Sequence, residues 1–86
     1  MNEVILIGKI VTEIEFKFII NSKHISIVLF EIELLNKSVV RVKAYDEMAD
    51  FVYSKLKKDH TIFVNGKIET KGRINCLYVK SIKNMP

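Results

Sequence analysis

The sequence predicts an all-β fold with one helix, five strands closing into a Greek-key barrel in the order β-β-β-α-β-β. Three observations predict it. Five stretches alternate apolar and polar side chains and are rich in branched and aromatic residues. After Tyr45 the apolar period changes from two to that of a helix. Gly8 interrupts the first stretch, where a strand closing a small barrel must curl. With 86 residues, 49% of them apolar, the expectation is one domain over residues 1–86 with a single core.

The first strand is expected over residues 3–11, "EVILIGKIV", resuming through "IEFKFII". There Ile14, Phe16, Phe18 and Ile20 alternate against Glu15, Lys17 and Ile19. Residues 21–23, "NSK", read as a turn. The second strand is expected over residues 24–34. Its core row is Val28, Phe30, Ile32 and Leu34; its other row is Ile27, Leu29, Glu31 and Glu33. The third strand covers residues 39–45, with Val40, Val42 and Ala44 inward and Val39, Arg41, Lys43 and Tyr45 outward.

Core must face core across a hairpin, because a one-residue slip turns every side chain over. A three-residue loop at residues 36–38 then pairs Leu34 with Val40, Ile32 with Val42 and Phe30 with Ala44. It sets Glu33 against Arg41, Glu31 against Lys43 and Leu29 against Tyr45.

A helix is expected over residues 46–58. Asp46 is its N-cap, Glu47 and Asp50 favour its first turns, and Lys55, Lys57 and Lys58 its last. Met48, Ala49, Val52 and Leu56 form its apolar stripe. The fourth strand is expected over residues 60–70 and the fifth from Arg73 to about Lys83, joined by a two-residue turn at Lys71 and Gly72. That turn pairs Val64 with Val79 and Gly66 with Leu77, and places Phe63 beside Lys80 and Asn65 beside Tyr78. A long bent first strand, a helix between strands three and four and a closing hairpin describe the OB-fold, whose usual ligands are oligonucleotides and oligosaccharides.

Composition narrows the function. The net charge is +4 with a pI near 9.3, which favours an anionic partner. No apolar run is long enough to span a membrane, and the start carries no secretory signal. A single cysteine, Cys76, fits a cytoplasmic location and a packing role beside Lys67. His24, His60 and Cys76 have no paired spacing for a metal, and no catalytic order or phosphate loop is present, so neither an enzyme nor a cofactor is expected.

Arg41, Lys43 and Tyr45 supply what a single-strand binder needs: cations for phosphates and a ring for bases. The alternative is ordinary sheet chemistry, in which facing glutamates pair with those cations. Phe63, Tyr78 and Lys80 form a second outward cluster, open to stacking or to burial in an oligomer. Lys9, Lys67, Lys71 and Arg73 are candidate phosphate contacts on the rim. Ile5 and Ile7, with Ile25, Ile27 and Leu29, are more outward aliphatics than a monomer needs, and Ile5 and Ile7 are expected dimer contacts.

The opening "MNEVILIGKI" resembles the start of bacterial single-stranded DNA-binding (SSB) proteins, through Asn2, Val4, Ile5, Leu6, Ile7 and Gly8. "IEFKF" is similar to the family's acidic-x-basic-aromatic segment, with Lys17 and Phe18 at the basic and aromatic places, and Asn21 falls on its turn asparagine. Residues 39–70 resemble its third strand, helix and fourth strand, ending in the pattern met by Val64, Gly66, Ile68 and Thr70.

The resemblance implies sequence-independent binding of single-stranded DNA, in replication, recombination or repair, by a homodimer or homotetramer built through the first strand. It implies phosphate contacts at Arg41 and Lys17 and base stacking at Tyr45. The chain departs from the family in having no tryptophan, with Val39 at one aromatic place, and in its short loops. Asp59 stands where a glycine usually follows the helix, and no acidic protein-recruiting tail is expected. A compact, tail-less member similar to primosomal PriB-type proteins is expected. Two other readings stay open: a protein-interaction module of a primosome or oligomer, and an RNA binder.

Overall fold

The computed structural model describes residues 3–19, 23 and 25–82. The expected match at Asn2, the turn residues Asn21 and Ser22, His24 and the strand end at Lys83 lie outside the described residues. The elements are β1 (Glu3–Ile10), β2 (Glu15–Phe18), β3 (Ser26–Leu34), β4 (Val39–Tyr45), α1 (Asp46–Lys55), β5 (Thr61–Ile68) and β6 (Ile74–Ser81). The sheet order is β1-β5-β6-β4-β3-β2, and an added β1–β3 pairing closes a five-stranded barrel. β1 and β2 are the two arms of the bent first strand.

The bend has a local cause. The chain leaves β3 at Val11, whose N–H donates to the Glu31 carbonyl at 2.9 Å. The Thr12 hydroxyl then accepts the Glu31 N–H at 3.0 Å, so no ladder donor is stranded where the strand breaks. Just before this, Gly8 pairs with both Leu34 and Ile62, in the seam between β3 and β5. A Cβ there would lie 2.8 Å from the Glu33 carbonyl oxygen, so only glycine allows the approach.

The β3–β4 hairpin keeps the expected faces but not the expected partners. Ile32 lies opposite Val40, Phe30 opposite Val42 and Val28 opposite Ala44. The register is two residues away from the one the sequence suggested. The loop is Leu35-Asn36-Lys37, closed by Leu34 N–H to the Ser38 carbonyl at 2.9 Å. Lys37 takes a left-handed φ of 74°, and the Asn36 side-chain oxygen accepts the Ser38 N–H at 3.0 Å. On the outer face Glu31 therefore meets Arg41, Leu29 meets Lys43, and Glu33 meets Val39.

The β5–β6 hairpin also differs from expectation. Val64–Val79, Phe63–Lys80 and Asn65–Tyr78 pair as expected, but a bulge follows. Gly66 then faces Cys76, not Leu77. The loop spans Thr70–Gly72, with Lys71 at φ 71° and Gly72 at φ 77°. Cys76 is buried and opposite Gly66, while Lys67 faces Asn75. Burial pushes the Cys76 thiol up to about 11.

α1 begins at Asp46, as expected, but its cap lies one residue earlier. Tyr45 holds the N-cap position, and Asp46 stands inside the helix with φ 53°. The Asp46 carboxylate reaches the β3 entrance, accepting the N–H groups of Ile25 at 2.7 Å and Ser26 at 3.3 Å. The helix ends at Lys55, three residues short of expectation. Asp59 turns back through φ 80°, and its N–H reaches the Ile10 carbonyl at 2.8 Å. The left-handed region explains why glycine suits this place.

Ala49, Val52 and Leu56 are buried, and Met48 is packed against them, as the stripe predicts. They cap a core of Ile10, Val28, Ile32, Val42, Ile62 and Val64, all fully buried. Each such side chain stabilises the fold by about 1.5–3 kcal/mol.

Candidate nucleic-acid interface

Period-two alternation makes the outer face of β4 what it is. With Val42 and Ala44 fully buried, Arg41, Lys43 and Tyr45 must point outward. The Lys43 ammonium lies 5.6 Å from the centroid of the Tyr45 ring. This cation–π contact holds the ring in place beside a positive charge. Glu31 faces Arg41 across the hairpin, yet among the described residues Arg41 has no carboxylate within 4 Å. The ion pairs of the expected register, Glu33 with Arg41 and Glu31 with Lys43, do not form.

The same outer layer extends sideways. Tyr45 faces Ile27 on β3, and Ile27 faces Lys17 on β2. Lys17 lies 3.5 Å from Glu15, and both side chains are more than half exposed. Such a pair is worth little and leaves Lys17 available. Phe18, next along β2, is 73% exposed on the opposite face.

Arg73 joins Arg41 at a groove of about 310 Å³ lined also by Thr12, Glu13, Glu15, Leu29 and Glu31. Three carboxylates thus share this groove with two guanidinium groups. Arg73 is held 3.5 Å from Glu69. Lys71 is exposed at the tip of the β5–β6 turn, away from any ion pair among the described residues.

The second cluster also assembles. The Phe63 and Tyr78 rings stand 6.3 Å apart, edge to face, and the Lys80 ammonium is 5.8 Å from the Phe63 centroid. It borders β1, where Ile7 faces Phe63 and Ile5 faces Asn65. Ile5 and Ile7 are exposed, as expected, and so is Ile25. Ile27 is not: it is buried within the chain, and Leu29 is half-buried. The outward aliphatics therefore form two separate groups, one on β1 and one at the entrance of β3.

Sequence reasoning missed Tyr53. It lies on α1, 57% exposed, its ring 4.8 Å from that of Phe16. Its sign in the sequence is weak: a tyrosine off the apolar stripe of a helix. No helix among the described residues is long and apolar enough to cross a membrane. No group of three potential metal ligands occurs among them.

A closed five-stranded barrel with its helix between the third and fourth barrel strands is an OB-fold. The model of the single-strand binding protein family matches residues 1–75, and the chain belongs to that family. The family consists of non-enzymatic proteins that bind single-stranded DNA.

The chain is similar to the single-stranded DNA-binding protein of Thermus aquaticus, with a TM-score of 0.87 and 19% identity. That alignment covers all of this chain and 42% of the other, so the chain spans under half of that protein's length. The small single-stranded DNA-binding protein of Streptomyces coelicolor gives 0.78 and 14%, over 94% of this chain and 92% of that one. The mitochondrial protein Rim1 of S. cerevisiae gives 0.82 and 12%, over 95% and 94%. No curated protein sequence matches the chain.

Proposed function

We propose that the chain binds single-stranded DNA without regard to sequence, through the outer face of β4 and its flanks, in replication, recombination or repair in the cytoplasm. Arg41 and Lys43 follow phosphates and Tyr45 stacks on a base. Lys17 and Arg73 extend this face, Phe18 contributes from the other side of β2, and Phe63, Lys71, Tyr78 and Lys80 contribute from β5, its turn and β6. The observation that carries the reading is Arg41, without an ion pair among the described residues, beside the Lys43–Tyr45 contact. A cation that only stabilised the sheet would be drawn to the glutamate facing it; Arg41 and Glu31 line one groove, yet no ion pair within 4 Å joins them and Arg41 is exposed.

Homo-oligomers form through β1, where Ile5 and Ile7 are 62% and 47% exposed. Both line an apolar groove of about 420 Å³ with Leu6, Leu34 and Leu35, and Leu35 is 94% exposed. The groove also favours the second reading, an adaptor that binds another protein there.

The test is fluorescence anisotropy of labelled oligo-dT at several salt concentrations, with duplex and RNA of equal length as competitors. Binding to dT, weak competition by duplex and a steep salt slope support the proposal. Preferred competition by RNA reassigns the ligand. No binding at low salt leaves the adaptor reading.

A further inference from the structure

Three aromatic rings form a row outside the β4 face. Phe16 lies against Phe18 at 5.2 Å, edge to face, and against Tyr53 at 4.8 Å. Phe16 is partly buried and packed against the core, so it anchors both neighbours. Phe18 and Tyr53 are well exposed. Rings held by one another offer a stacking surface with little ordering left to do on binding. Single exposed aromatics are ordinary, but three in contact across two elements are not.

The surroundings identify the occupant. Tyr53 lines a groove of about 350 Å³ with Ile14, Leu56, Lys57, Lys58 and Glu13. Two lysines against one carboxylate favour an anion, and an exposed ring beside them favours a base. The groove shares Glu13 with the one that Arg41 lines. Lys17 sits between Phe16 and Phe18 in sequence and points to the other side of β2. It shares an outer layer with Ile27 and Tyr45. β2 pairs only with β3, so among the described residues its far edge carries no strand.

We infer that a bound single strand passes from Tyr45 over the edge of β2 at Lys17, stacks a base on the Phe18–Phe16–Tyr53 row, and sets its phosphates against Lys57 and Lys58. The inference rests on the β4 reading and adds a second stacking platform to it.

The test compares a short oligo-dT of about 5 nucleotides with one of about 15, inside the range that one OB-fold covers. The affinity gained on lengthening is measured for the wild type, Tyr53→Ala, Tyr53→Phe and Lys57→Glu/Lys58→Glu. One lost stacked base lowers that gain about tenfold in Tyr53→Ala, and Tyr53→Phe restores it. The double charge reversal lowers it as well. An unchanged gain in Tyr53→Ala overturns the platform and leaves the β4 reading standing. Failure of the wild type to bind either length overturns both. A change of oligomeric state in Tyr53→Ala, read by sedimentation, overturns the platform by giving the row to a second copy.

Discussion

Replacing Arg41 by alanine separates a phosphate contact from a sheet stabiliser. The guanidinium is exposed, has no carboxylate within 4 Å among the described residues, and lies two positions from Lys43 on the same face. Loss of one phosphate contact on a single strand lowers the slope of log K against log salt by about 0.7. Between 50 and 200 mM salt that slope change is about 0.4 in log K, so the variant loses about 2.5-fold less affinity over the range than the wild type. The assay is anisotropy of labelled oligo-dT at salt steps across that range. Thermal melting is run in parallel. If Arg41 serves the hairpin instead, its removal costs about 0.2–1 kcal/mol of stability and leaves the slope alone. In a chain of this size that is a fall in Tm of up to roughly 8 °C. An unchanged slope with a lower Tm would refute the phosphate assignment.

Gly66→Ala should be severely destabilising, because its Cβ would collide with the Asn75 carbonyl and lie 2.8 Å from Ile74 Cγ2. A loss of about 3 kcal/mol, measured by urea unfolding, is expected; a variant as stable as the wild type would show that the bulge can shift. Asp59→Gly relieves a non-glycine residue at φ 80° and should raise stability by up to about 1 kcal/mol, seen as a higher urea midpoint. The buried Cys76 thiol ionises near pH 11 in the folded chain, against 9.0 ordinarily. The unfolded chain loses that proton first, so stability contributed below pH 9 declines as pH rises to 11. Cys76→Ala should remove that part of the alkaline decline in a melting series.

The strands and their faces were legible because alternation reports orientation directly. Arg41, Lys43 and Tyr45 could be assigned outward from Val40, Val42 and Ala44 alone. Alternation is blind to a slip of two residues, and the β3–β4 hairpin differs by that amount. Its register depends on Lys37 entering the left-handed region, which nothing in a lysine announces. The bulge that exchanges Cys76 for Leu77 is hidden for a similar reason, since both residues are apolar. The helix cap and last turn were misplaced because Asp46 resembles a cap but binds β3, and lysines 57 and 58 suit either a last turn or a loop. Tyr53 was invisible as a partner of Phe16 because their contact depends on how α1 docks on β2.

The barrel closes between residues far apart in the chain, and this shapes how the protein is made. Glu3 pairs with Lys67 and Lys9 with Thr61, so most of the sequence must be synthesised before β1 meets β5. Until then β1 has only the short pairing of Gly8–Ile10 with β3. Such non-local pairings place folding in the millisecond-to-second range, slower than helical chains of equal size. A nascent chain therefore emerges with the Ile5 and Ile7 strand open along one edge, where another chain can add to it. Folding on the ribosome is a race between the arrival of β5 and the capture of that edge by a neighbour.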